Sequence, residues 1–119
     1  MAAAATCGSL MVPCPAFGEI AEIARGRGDL DLGVHLTLNA EYESYRWGPV
    51  SDRAPGLVSP DGGMWRTSAE TVANASIDDV ENELRAQVEQ NLRTQRLGLA
   101  CECRFSLAEA LQAAGQTAE

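Results

Sequence analysis

Leu30-Asp31-Leu32-Gly33-Val34-His35-Leu36-Thr37-Leu38 alternates without a break: leucines and valine on one side, Asp31, Gly33, His35 and Thr37 on the other. Successive residues of an extended chain point to opposite faces, so this period of two predicts a strand over 31–38. Upstream, Ser9-Leu10-Met11-Val12 is a short apolar run stopped by Pro13, and it reads as a buried strand over 8–12. Between the two, Phe17, Ile20, Ala21 and Ala24 recur at helical spacing, which predicts a helix over 15–25. Gly26 and Gly28 close that helix, since glycine readily takes the left-handed conformation of a C-terminal cap. Strand, helix and strand within about 30 residues make a βαβ unit. The strands are then parallel neighbours and the crossover right-handed.

Downstream, residues 40–75 hold no sustained period. They carry Arg46-Trp47-Gly48-Pro49 and then Ser59-Pro60-Asp61-Gly62-Gly63, a strong turn signal. A connection of this length is commonly a lid, a binding loop or disorder. Tyr42, Tyr45, Trp47 and Trp65 argue for a folded loop. A helix is predicted over 77–97, with Ser76 as N-cap and Asp78 and Asp79 in the first turn, where the helix dipole favours acids. Ile77, Val80, Leu84, Val88 and Leu92 form its apolar stripe, and Glu89 and Arg93 pair one turn apart. Gly98 stops it. Ser106-Leu107-Ala108-Glu109 is a capping-box pattern that opens a short helix to about Ala114.

At 119 residues the chain is one domain. Seventeen acidic residues against nine basic ones give a formal net charge of −8. That field repels phosphate backbones and anionic lipid heads, which excludes nucleic acid and membrane surfaces as partners. No apolar run approaches the ~18 residues of a membrane span. Residues 1–7 have no basic residue ahead of their alanines and read poorly as a signal peptide, so a cytoplasmic protein is expected. Cys7, Cys14, Cys101 and Cys103 are then reduced thiols. The alternative, a small metal module built on these cysteines, matches no standard zinc spacing.

His35 is the single histidine. If the leucine face of its strand packs on helices, the face with Gly33, His35 and Thr37 points to a barrel interior or a cleft. Barrel enzymes place their sites at that C-terminal end of parallel strands. An imidazole binds a divalent metal, but a catalytic metal needs about three protein ligands. No obvious set accompanies it. Asp78-Asp79 reads as helix capping, Asp29 and Asp31 flank the other end of the strand, and Gly26-Arg27-Gly28 is a plain turn with no phosphate-binding helix behind it. There is no recognisable nucleophile triad.

Ser9-Leu10-Met11-Val12-Pro13-Cys14-Pro15 with Phe17, and Leu32-Gly33-Val34-His35-Leu36-Thr37-Leu38, resemble the early part of YdjC-like carbohydrate deacetylases. So do Tyr45-Arg46-Trp47-Gly48-Pro49, Asp61-Gly62 with Trp65, and Val80-Glu81-Asn82-Glu83-Leu84-Arg85-Ala86-Gln87. The likeness covers roughly residues 8–99. It implies an α/β fold, a partial (β/α) barrel with its N-terminal strand and C-terminal half missing. It also implies a hydrolase that removes N-acetyl groups from amino sugars or oligosaccharides at a divalent metal, Mg2+ or Zn2+. The metal would polarise the amide carbonyl and a bound water while a carboxylate took the proton. In that resemblance His35 matches a metal ligand, and the region of Arg46, Trp47 and Trp65 lies around the sugar. The family's Asp-Asp pair and its later histidine have no counterpart here, so no catalytic residue is assigned. Residues 1–119 thus read as a single incomplete domain with an unrelated tail over 100–119. Such a chain is expected to lack activity by itself. The alternative is a non-catalytic fragment that acts by pairing with another chain, or with itself, through open sheet edges.

Overall fold

A computed structural model of the chain describes residues 7–95. Strand β1 (Gly8–Leu10) pairs in parallel with β2 (Leu32–Val34), with Gly8 opposite Leu32 and Leu10 opposite Val34. Helix α1 (Phe17–Arg25) connects them, so the βαβ order is as expected. Helices α2 (Ser68–Asn74) and α3 (Ile77–Gln95) follow. The described residues form a small α/β arrangement, a two-stranded parallel sheet with three helices. None of the described helices is long and apolar enough to cross a membrane.

Both strands are shorter than the sequence predicts, β1 for a local reason and β2 because its partner has left. β1 leaves the ladder at Met11, where a turn closes with the Cys14 N–H donating to the Met11 carbonyl at 3.2 Å; Pro13 in that turn has no N–H to continue pairing. The last ladder bond runs from the His35 N–H to the Leu10 carbonyl at 2.9 Å. Alternate residues of an extended chain address the same edge. Thr37 therefore presents its N–H and C=O to the place β1 has vacated, and Gln87 of α3 takes it. The Gln87 side-chain oxygen accepts from the Thr37 N–H at 3.0 Å, and its nitrogen donates to the Thr37 carbonyl at 2.6 Å.

The predicted stripe of α1 is narrower in the fold. Phe17 and Ala21 are buried with Val12 and pack with Leu10, Val34 and Val50. Ile20 and Ile23 stay 41% and 55% exposed. A sheet of two strands covers only the line of residues one helical turn apart. Gly26 does cap α1, but at φ −84° in the right-handed region, with its N–H bonded to the Ile23 carbonyl at 3.2 Å. Left-handed backbone was not needed there. Among the described glycines it is Gly62, at φ 85°, that takes it, in the tight turn whose Gly62 N–H reaches the Ser59 carbonyl at 2.9 Å.

In α3 the expected cap is present. The Ser76 hydroxyl accepts from the Asp79 N–H at 3.1 Å, and the Asp79 carboxylate accepts from the Ser76 N–H at 2.7 Å. Glu89 and Arg93 sit 3.9 Å apart. The stripe itself needs correction. Leu84 and Val88 are buried, but Ile77 is 58% exposed, because it opens the helix at the edge of the fold. The inward face is shared by Glu83, Gln87 and Asn91, each fully buried. The Glu83 carboxylate accepts from the Val50 N–H at 3.0 Å, the Ser51 N–H at 2.8 Å and the Gln87 amide at 2.7 Å. Buried main-chain groups must be paired, and α3 supplies the partners. No buried side-chain nitrogen or oxygen among the described residues lacks one.

Burial pushes the Glu83 carboxyl above the usual glutamate range, against the pull of its Ser51, Val50 and Gln87 donors. The folded state therefore holds this proton more tightly than the unfolded state. Its contribution is fully present below the ordinary glutamate value and is lost as pH rises through the raised one. A melting curve recorded against pH is expected to fall across that window and to flatten there in Glu83→Gln. A fall of equal slope in the variant would exclude Glu83 as its source.

The 40–75 segment is more structured than its sequence predicts. A 3₁₀ turn spans Pro55–Leu57, Val58 and Met64 form an antiparallel bridge, and α2 follows. Thr67 and Glu70 make a reciprocal capping box at the start of α2. The Thr71 hydroxyl then donates to the Leu38 carbonyl at 3.3 Å. The predicted stop at Gly98, the helix to Ala114, and Cys101 and Cys103 lie outside the described residues.

Candidate functional site

His35 follows β2 directly at the C-terminal end of the parallel pair, with an exposed side chain, while Thr37 beyond it is buried. The loop reaches the same end of the sheet. Trp47 is buried with Ala40 and Met64, and Met11 and Cys14, just past β1, pack against that cluster. The Trp47 indole N–H donates to the Asn39 carbonyl at 3.1 Å. Tyr42 and Tyr45 meet its ring edge-on, at centroid distances of 6.1 and 5.9 Å. Trp47 is thus a core residue of the loop. It presents little surface to any ligand.

Arg46 occupies the centre of the same loop. Its guanidinium donates to both carboxylate oxygens of Asp61, at 3.1 and 3.2 Å, to the Met64 carbonyl at 2.6 Å, and to the carbonyls of Ala40 and Tyr42. The planar fork is spent on folding the loop. Asp61 is a second hub. The Ser59 hydroxyl, the Gly63 N–H and Arg46 all stabilise its charged form and hold its carboxyl well below the usual aspartate range.

Trp65 is only half-buried. Its indole N–H donates to the Gly56 carbonyl at 2.8 Å. With Arg46, Asp61, Arg66 and Glu70 it lines an open cavity of about 230 Å³. An indole flank beside carboxylates and guanidinium groups suits a sugar, which offers an apolar ring face and a rim of hydroxyls. A larger cavity of about 350 Å³ lies between Cys14, Gly48, Pro49 and the Gln90–Thr94 side of α3. The Cys14 thiol on its wall is pushed up by burial and by Glu41, so it is a poor thiolate donor.

The structure therefore brings Arg46 and Trp65 to one cavity, buries Trp47 behind the loop, and leaves His35 exposed at the strand end. Arg66 and Glu70 were not singled out from the sequence, and Asp61 stood there only in a turn signal and in the family resemblance. The signal for Glu70 was there in Thr67-Ser68-Ala69-Glu70, a capping box that fixes where its side chain begins. A divalent metal would need about three protein donors. Among the described residues no group of three or more His, Cys, Asp or Glu is placed to hold one. The described residues therefore do not fit a catalytic metal.

The family model described as "YdjC-like protein" matches residues 2–99. A protein named carbohydrate deacetylase 1 from Listeria innocua is 35% identical over 88 residues, 71% of this chain and 33% of that protein. A carbohydrate deacetylase from Listeria monocytogenes serotype 4b is 36% identical over 87 residues, with the same shares. The chain spans about a third of the length of these curated relatives. Among solved structures, a protein described as a cellobiose-phosphate cleavage protein from Enterococcus faecalis V583 is similar, with a TM-score of 0.66 at 23% identity. That similarity covers 90% of this chain and 46% of the other. At that identity the likeness speaks to fold.

Proposed function

The chain belongs to the YdjC-like protein family, and from that premise we propose that it carries the sugar-facing part of a carbohydrate deacetylase, a hydrolase of N-acetyl groups on amino sugars or oligosaccharides. The names of the Listeria relatives support this substrate class. The full architecture in this reading is a (β/α) barrel, of which β1, α1 and β2 form one βαβ repeat. His35 is a single donor to a divalent ion, magnesium or zinc. The described residues do not complete that ion's shell, and in this reading they contribute sugar binding to the reaction.

One observation carries the reading: the loop is built around Arg46 so that Trp65 stands half-open on the wall of a largely apolar cavity rimmed by Arg46, Asp61, Arg66 and Glu70. Stacking on the indole flank supplies affinity, and Arg66, Glu70 and Asp61 meet hydroxyls. Titration of the 119-residue chain with an N-acetylglucosamine oligomer is expected to change tryptophan emission to saturation. Trp65→Leu is expected to weaken binding by about tenfold, whereas Trp47→Phe keeps the affinity. Calorimetry that finds equal affinity in wild type and Trp65→Leu would remove Trp65 from the site. A wild-type chain that takes up no oligomer would remove the sugar reading itself.

A further inference from the structure

We propose that Gln87 and Glu83 are positioning residues, a buried brace that sets the end of β2, and with it the His35 imidazole, against residues 48–51 of the loop. This rests on reading His35 and the loop as site residues. The first observation is the direction of the Gln87 bonds. Its oxygen meets the Thr37 N–H at 3.0 Å and its nitrogen meets the Thr37 carbonyl at 2.6 Å. That is the pairing a neighbouring strand would make, supplied by a side chain at the point where β1 has turned away. The second N–H of the same amide donates to Glu83 at 2.7 Å. The two Glu83 oxygens accept from the Val50 and Ser51 N–H groups at 3.0 and 2.8 Å. One unbroken run of hydrogen bonds thus joins Thr37, two residues from His35, to Ser51. The amide orientation follows from the donors and acceptors around it, since the reverse would face N–H with N–H.

The two side chains are one helical turn apart and fully buried. A position that only filled space between Leu84 and Val88 would be served by leucine or methionine. A buried amide and carboxylate cost desolvation unless their partners are placed for them, and inside the protein such linked bonds strengthen one another. Movement of the loop at Val50 and Ser51 is therefore passed to the main chain of Thr37.

The labelled 119-residue chain gives the test by NMR, in Gln87→Met and Gln87→Glu. Both variants are expected to shift the His35 ring signals and to cut the exchange protection of the Thr37 amide by about tenfold or more. Val88→Ala opens a cavity on the same helix and leaves the Thr37 hydrogen bonds in place. It is expected to lower the melting temperature and leave the His35 ring signals in place. If Gln87→Met does not fold, Gln87→Glu still presents an acceptor to the Thr37 N–H while setting a second carboxyl against Glu83 and the Thr37 carbonyl, and the same signals are read on it at a pH low enough to keep that carboxyl protonated. Unmoved His35 signals in a folded Gln87 variant, or signals moved as far by Val88→Ala, would overturn the brace. No sugar is needed, so a wild-type chain that binds no oligomer overturns the functional reading and leaves this result standing.

Discussion

Gly56→Ala is expected to lower the stability of the chain by about 3 kcal/mol, the upper range for overpacking a filled site. A Cβ at Gly56 would lie 2.5 Å from an Asp79 oxygen, 2.8 Å from the Asn74 carbonyl oxygen and 2.9 Å from the Ala75 Cα. Two of these are main chain at the corner between α2 and α3 and have no rotamer to change. The third is committed, since Asp79 already accepts from the Ser76 N–H at 2.7 Å and from the Gly56 N–H at 3.2 Å. Backing Gly56 away would also pull its carbonyl from the Trp65 indole, now at 2.8 Å. In urea denaturation the midpoint should fall with little change in slope. Gly28→Ala is the control, because a Cβ there meets nothing within 4 Å. Equal midpoints for the two variants would mean that the corner is looser than its geometry.

Arg46→Lys is expected to be almost as damaging as Arg46→Ala, at about 3 kcal/mol each. The guanidinium satisfies the carbonyls of Ala40 and Met64 from two edges of one plane while pairing Asp61 on a third. An ammonium is a point donor and cannot span them. The loss comes chiefly from the half-buried carbonyls, since Asp61 is 46% exposed and water screens that pair. Trp47 reports the result, because the Met64 N–H donates to the Trp47 carbonyl at 2.8 Å. Its near-UV circular dichroism should collapse in both variants. Retention of that signal in Arg46→Lys would mean that charge, and not the fork, holds the loop.

The βαβ unit was readable because its signals are local: alternation for β2, helical spacing for α1, and Pro13 as the stop of β1. What escaped depends on distant partners. Nothing in Leu36-Thr37-Leu38 reveals that the strand must end early, because the cause is β1's departure and Gln87, 50 residues on. Glu83, Gln87 and Asn91 look like the solvated side of α3 by composition. Glu83 is buried against the main chain of Val50 and Ser51, and Gln87 against that of Thr37, partners that sequence periodicity does not contain. The family resemblance put Arg46, Trp47 and Trp65 around a sugar, yet residue type does not separate a guanidinium that folds the loop from one that faces a ligand. The missed helix α2 is a different case. Its cap was legible in Thr67 and Glu70, but its body exposes Val72 at 82% and offers almost no apolar period.

In the proposed function the chain presents a sugar-binding loop and one imidazole without assembling a catalytic centre among its described residues. Acetate release from N-acetylglucosamine oligomers by the purified 119-residue chain, with zinc or magnesium added, tests that most directly. The predicted result is no release above a no-protein control, because His35 is the single histidine and one donor does not hold a catalytic ion. Release above that control, abolished by His35→Ala, would contradict it and would mean that carboxylates such as Asp31 or Glu41, or a second copy of the chain, complete the site.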